Sequence, residues 1–273
     1  MKKRIIAAAV ALPVFLIVLL VLPQLATAIL FAAISVVAVW ELMCVTGLVR
    51  HLRLFIYSAI MAAAVSIWSF LGCPHGLAVL LLLAYFTALA VELLSAHTAL
   101  KFSKVCIAAF SAIVMPLFLS AMVRLQMMEN GRFLVLVPCV IAFTADSGAY
   151  FIGRAFGNHK LAPIISPKKT VEGAVGGAAC AVLGMIIYAL ILRFGFGFSV
   201  NYLYAAIYGL FGAVGSIIGD LFYSCVKRQV KIKDYGNILP GHGGVLDRFD
   251  SMSVVAPLVE AFMLLIPFAA RAS

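Results

Sequence analysis

An all-α, polytopic bundle of about nine transmembrane helices is the fold that this sequence predicts, and three observations predict it. Of 273 residues, 65% are hydrophobic and 11% are charged, where a soluble domain carries about a quarter charged residues. The mean hydropathy is +1.17. The apolar residues also come in blocks of about twenty, the length that crosses a hydrocarbon core as a helix. These facts exclude a water-soluble globule, and they exclude a disordered chain more firmly still.

The blocks fall at residues 5–22, 25–45, 54–71, 77–94, 105–123, 133–152, 173–194, 203–224 and 249–270. The first imitates a secretory signal, with Met1-Lys2-Lys3-Arg4 before an apolar run and Ala26-Thr27-Ala28 after it. Its run exceeds the roughly 7–15 residues of a signal core, so a retained helix is expected. The next four spans follow through short connections. Glu41 and Glu92 lie near span ends and Glu260 lies in the ninth span; their roles stay open. After the sixth span comes a long polar segment, 153–172, and after the eighth another, 225–248. The chain therefore divides into a helical scaffold, 1–130, and a site-bearing region, 131–273, that holds both polar loops.

Charge orients the bundle. The net charge is +10, and sixteen of the twenty Lys and Arg residues fall on the N-terminal side of the membrane. The opposite side holds Arg124, Arg132, Arg193 and Arg271. The positive-inside rule puts the N-terminus and both long loops in the cytoplasm and the C-terminus outside. The six cysteines stand singly in apolar segments, which disfavours a thiolate metal site or a disulfide framework.

The polar residues separate an enzyme from a channel or a carrier. Asp146, Glu172, Asp220, Asp234, Asp247 and Asp250 all lie in or beside the two long loops. Acids at span ends are costly to desolvate and are functional candidates. Asp220, Ser224 and Lys227 share one helix face, joined by Lys231 if the helix continues. The plainer alternative is a stripe of ion pairs that lets a helix leave the membrane.

Downstream, Leu239-Pro240-Gly241-His242-Gly243-Gly244 precedes Asp247-Arg248-Phe249-Asp250. The glycines allow backbone N–H groups to approach an anion. Asp247 and Asp250 could each instead cap a helix. In the first loop, Ser166-Pro167-Lys168-Lys169-Thr170 places two ammonium groups just before a helix N-terminus, a place that attracts anions. The alternative there is an anchor on anionic lipid heads, the role expected of Lys2, Lys3 and Arg4. Carboxylates with a dense set of cations favour Mg²⁺ and a phosphate-bearing substrate. No Walker A sequence or G-x-S-x-G elbow occurs. The basic residues form no nucleic-acid-binding module, so no nucleic-acid partner is expected.

The run from Ser224 to Asp250 closely resembles the signature of phosphatidate cytidylyltransferases (CDP-diacylglycerol synthases). It reads Ser224-x-Val226-Lys227-Arg228-x₄-Lys233-Asp234-x-Gly236-x₂-Leu239-Pro240-x-His242-Gly243-Gly244-Val245-x-Asp247-Arg248-Phe249-Asp250. Asp146-Ser147-x-Ala149-Tyr150-x₂-Gly153 and Ser166-Pro167-Lys168-Lys169-Thr170-x-Glu172-Gly173 look like the same family. The resemblance implies that CTP and phosphatidate give CDP-diacylglycerol and diphosphate, in a plasma membrane, with the site facing the cytoplasm. It implies Mg²⁺, as one ion or a two-metal site, on Asp220 and Asp247.

With that reaction, Lys227 and Arg248 are expected to act beside these acids. Substrate contacts are expected from Asp146, Ser166, Lys168, Lys169, Ser224, Arg228, His242, Gly243 and Gly244. Three other readings compete: a secondary transporter of a phosphorylated solute, a CTP-dependent enzyme acting on another lipid, and a non-catalytic membrane scaffold, which leaves Gly241-His242-Gly243-Gly244 and Asp247-Arg248 without a reason. Transporters commonly bind near the midplane within repeated halves, whereas here the polar residues gather at one surface and no repeat is visible. Gly173-x₃-Gly177 and Gly215-x₃-Gly219 permit close helix packing, within one chain or between the copies of a homodimer.

Overall fold

The computed structural model describes residues 2–96, 100–238 and 243–271, with side chains from residue 11 onward. In chain order the first helices are α1 (Lys2–Leu20), α2 (Gln24–Trp40), α3 (Leu52–Leu71) and α4 (His75–Ser95). Then come α5 (Phe102–Ala109), α6 (Met115–Leu119), α7 (Ala121–Met127), α8 (Gly131–Leu134) and α9 (Val137–Phe156). Strands β1 (Lys160–Ala162) and β2 (Ser166–Thr170) lead into α10 (Val171–Phe196). The chain ends with β3 (Phe198–Val200), α11 (Tyr202–Gln229), α12 (Leu246–Phe249), α13 (Met252–Leu265) and β4 (Ala269–Arg271).

Seven helical stretches among the described residues are long and apolar enough to cross a membrane. They are Gln24–Val45, Leu52–Leu71, His75–Ser95, Phe102–Met127, Gly131–Phe156, Val171–Phe196 and Tyr202–Gln229. The expected first and ninth spans are not among them. The described apolar part of α1 is Ala11–Leu20, and α13 has 14 residues. The chain leaves α13 at Ile266, directly before Pro267, where the proline disfavours helical geometry.

Two local expectations need correction. The segment 153–172 is more than a loop: α9 runs on to Phe156, and β1 and β2 form an antiparallel hairpin. The helix carrying Asp220 continues past 224 to Gln229, but Lys231 lies beyond it with a left-handed φ of 57°. Lys231 therefore does not extend the polar face of α11.

The chain divides into two compact units, Met1–Met127 with Gln229–Phe249, and Met128–Arg228 with Asp250–Ser273. In the first unit α2 packs on α3, where buried Ser35 and Ser66 share a hydrogen bond of 3.2 Å. Phe15, Phe31 and Phe249 meet edge to face, with ring centroids 6.0–6.3 Å apart. Such polarised-edge contacts add to the packing of apolar side chains. The α2 helix ends in a π-helical turn, Glu41–Val45.

In the second unit α9 and α10 lie in close contact along much of their length. Small residues make that possible, as expected where van der Waals packing drives helix association in lipid. A Cβ on Gly177 would sit 2.7 Å from the Ala145 carbonyl oxygen, and one on Gly173 would sit 2.8 Å from that of Ala149. Gly219 is equally tight against the Asp250 carbonyl, at 2.6 Å, and Gly215 touches Leu258. Both Gly-x₃-Gly pairs are thus used inside this unit. Thr170 ends β2 and caps α10, its hydroxyl accepting from the Gly173 N–H at 3.1 Å.

Candidate active site

In the second unit, α9 and α11 each present a polar face built on a four-residue step. Asp146, Tyr150 and Arg154 recur along α9, and Ser216, Asp220 and Ser224 recur along α11. The Ser216 hydroxyl donates to Asp146 Oδ1 at 3.3 Å, and the Ser224 hydroxyl donates to Asp220 Oδ1 at 3.0 Å. Ser224 and Lys227 are buried, and Asp146 is exposed. Asp250, before α13, lies within electrostatic reach of Asp220, Asp146 and Lys227.

The hairpin brings cations to these acids. Lys169 Nζ lies 2.5 Å from Asp220 Oδ2, and the Arg228 guanidinium donates to the Ile165 carbonyl at 3.0 Å. Between paired residues, β1 has one residue, Leu161, where β2 has three, Pro167, Lys168 and Lys169. Such a bulge re-aims side chains, and Pro167 has no N–H to give to a ladder. Lys168 stays exposed and Lys169 is partly buried. At the other end of the hairpin, Glu172 accepts from the His159 backbone N–H and pairs with its ring at 2.6 Å.

A cavity of about 400 Å³ opens between these elements. Asp146, Tyr150, Arg154, Lys168, Lys169 and Asp220 line it, over a floor that includes Gly173, Gly177 and Ala213. Of the residues expected from sequence, Asp146, Lys168, Lys169 and Asp220 are brought to one cavity. Ser166, Ser224, Lys227 and Arg228 lie in the same unit but do not line it. Tyr150 and Thr170, which belong to the family-like motifs, also line it, as do Arg154 and Ser216, which no motif marks. The step of four from Asp146 to Tyr150 to Arg154 is the signal available in the sequence for Arg154.

The first unit holds the remaining expected residues, except His242, which lies outside the described residues. Asp247 is buried at the start of α12, and its Oδ2 accepts from the backbone N–H groups of Tyr235 at 2.7 Å and Gly244 at 3.0 Å. Gly243 has a φ of 86°, which favours glycine. Arg248 is exposed. Glu41, left open by sequence, is fully buried and accepts from the Val245 and Leu246 N–H groups.

In the second unit Asp146, Asp220, Asp250, Ser216 and Ser224 offer hard oxygen donors, and Lys168, Lys169 and Lys227 are cations of the same unit. Among the described residues, no group of three or more His, Cys, Asp or Glu side chains could by itself hold a metal ion. Mg²⁺ usually takes one or two carboxylates, and Asp146 and Asp220 both line the cavity.

The family model described as "Cytidylyltransferase family" matches residues 2–266. The chain belongs to the cytidylyltransferase family. Among relatives of this cytidylyltransferase, a phosphatidate cytidylyltransferase of Bacillus subtilis (strain 168) is 34% identical over 278 residues, covering 97% of this chain and 98% of that protein. A phosphatidate cytidylyltransferase of Staphylococcus haemolyticus is 40% identical over 136 residues, 50% of this chain and 51% of the relative. That of Staphylococcus saprophyticus is 40% identical over the same shares.

Proposed function

We propose that this cytidylyltransferase transfers the cytidylyl group of CTP to phosphatidate, yielding CDP-diacylglycerol and diphosphate. The observation that carries the reading is the likeness to the Bacillus subtilis phosphatidate cytidylyltransferase along nearly the whole chain. The second unit's cavity suits it chemically, since cations for phosphate and acids for a divalent ion line one space.

A phosphate oxygen of phosphatidate attacks the α-phosphorus of CTP; a new P–O bond forms as the bond to diphosphate breaks. The attacking oxygen is already ionised, so the protein supplies neither nucleophile nor base. Its work is to hold two mutually repelling anions in line. Lys168, Lys169 and Arg154 border the cavity and are assigned to the phosphates, with Lys227 and Arg228 adding positive charge in the same unit; Arg248 is assigned to the reaction from the sequence motif alone. Ser166 and His242 are assigned to substrate contact. The resemblance of the sequence motifs alone assigns Mg²⁺, as one ion or two, to Asp220 and Asp247, where it would neutralise phosphate charge. Asp146 holds Ser216 and orients from α9.

We place this site at the cytoplasmic face of the plasma membrane, with the N-terminus inside, nine spans and the C-terminus outside. The excess of Lys and Arg on one side supports that orientation. The test is a product assay on the detergent-solubilised protein with phosphatidate and each of the four nucleoside triphosphates. CDP-diacylglycerol and diphosphate formed from CTP alone are expected; equal turnover of all four, or none, would overturn the reading.

A further inference from the structure

Glu41 sits at the start of the π-helical turn Glu41–Val45 that closes the second span, and its side chain is completely buried. Burying a carboxylate is costly unless hydrogen bonds replace its water. Here they come from 204 and 205 residues away. Oε1 accepts the Val245 N–H at 2.8 Å and Oε2 accepts the Leu246 N–H at 2.7 Å. At the start of α12 these amides have no carbonyl of their own helix to meet. Hydrogen bonds to an ionised acceptor are roughly twice as strong as neutral ones.

Around the same carboxylate the backbone comes unusually close. A methyl group on Gly244 would lie 2.5 Å from Glu41 Oε1, and one on Gly236 would lie 2.8 Å from it. The neighbouring amide, Gly244 N–H, is taken by Asp247 Oδ2, as is Tyr235 N–H. Three successive amides, 244 to 246, are thus gripped by two carboxylates. Shifting either one moves the peptide that holds the other.

We propose that Glu41 is a positioning residue for the reaction: by holding the Val245 and Leu246 amides it sets where the Asp247 carboxylate stands. The proposal rests on Asp247 being a metal ligand. Glu41 itself touches no substrate. It acts as the partner that orients a ligand, a role whose loss typically costs about 10- to 100-fold in metal affinity or activity.

The experiment uses the full chain in detergent, with Glu41→Gln and Gly244→Ala beside the parent. Glu41→Gln keeps the size but turns an NH₂ toward one of the two amides. Gly244→Ala keeps the carboxylate and pushes it off its place, so it serves if Glu41→Gln fails to fold. Expected in both is faster hydrogen exchange at the amides of 245 and 246. Half-saturating Mg²⁺ should rise by about 10- to 100-fold, with turnover largely recovered at high Mg²⁺. Parent-like exchange would overturn the hold itself. Faster exchange with parent-like Mg²⁺ dependence would reduce Glu41 to support of the fold and overturn the positioning role. Asp247→Asn separates the premise: full activity there removes Asp247 as a ligand, while exchange at 245 and 246 still reads what Glu41 holds.

Discussion

Lys169 on the β2 strand and Asp220 in the C-terminal half of a membrane-length helix form an ion pair at 2.5 Å, with side chains 24% and 29% exposed. Exposed pairs add little to stability, about 0–1 kcal/mol. This one is half-sheltered and lines a cavity, so its larger effect is on what the cavity binds. It neutralises Asp220 before any other cation arrives and keeps an ammonium group where phosphate is expected.

Lys169→Gln should therefore separate two quantities. Turnover of CTP, as kcat/KM, should fall by about 1–3 kcal/mol for a lost charged hydrogen bond. Half-saturating Mg²⁺ should not rise, because a competitor of the metal at Asp220 is gone. Titrating Mg²⁺ and CTP separately checks both, and a variant with parent kinetics returns Lys169 to lipid anchoring.

Asp220→Asn and Asp247→Asn should each nearly abolish turnover, with the double variant little worse, since residues acting as a unit are non-additive. Expression and thermal stability in detergent should stay close to the parent for Asp220→Asn. Asp247→Asn keeps one oxygen to accept the Tyr235 and Gly244 amides. If Asp247 only organises that turn, stability falls by about 1 kcal/mol and activity survives.

Gly177→Ala should lower thermal stability. Its new methyl would meet the Ala145 carbonyl oxygen at 2.7 Å, a backbone atom that cannot swing away. Overpacking of this kind costs about 1–3 kcal/mol. A melting curve in detergent that matches the parent would show that α9 and α10 can part.

Reporter fusions test the orientation. A reporter placed in the β1–β2 hairpin should read cytoplasmic, and one placed after Arg271 should read external. The reverse pattern would remove a cytoplasmic CTP site.

What the sequence made legible was local. The shared face of Asp220 and Ser224 follows from helical spacing, and their hydrogen bond confirms it. The apolar blocks gave the helices for the same reason: length and hydropathy are properties of a single segment. Long-range partners were not legible. No periodicity connects Glu41 to Val245, or Lys169 to Asp220, because those contacts depend on how separate elements pack. The hairpin was hidden too, since Ser166-Pro167-Lys168-Lys169-Thr170 is neither alternating nor apolar and Pro167 argues against a strand. The sequence leaves open whether α11 reaches Lys231, because no glycine or proline marks its end at Gln229.

The irregular pairing of β1 with β2 has a consequence for how this protein can be improved. Its surplus residues on one strand are a defect by the standards of a ladder and the means of aiming Lys169. A hairpin shortened to pair residue for residue would hold together better and deliver its lysine elsewhere. Selection or engineering for heat resistance alone should therefore erode this spot first, the usual conflict between a comfortable backbone and a working one.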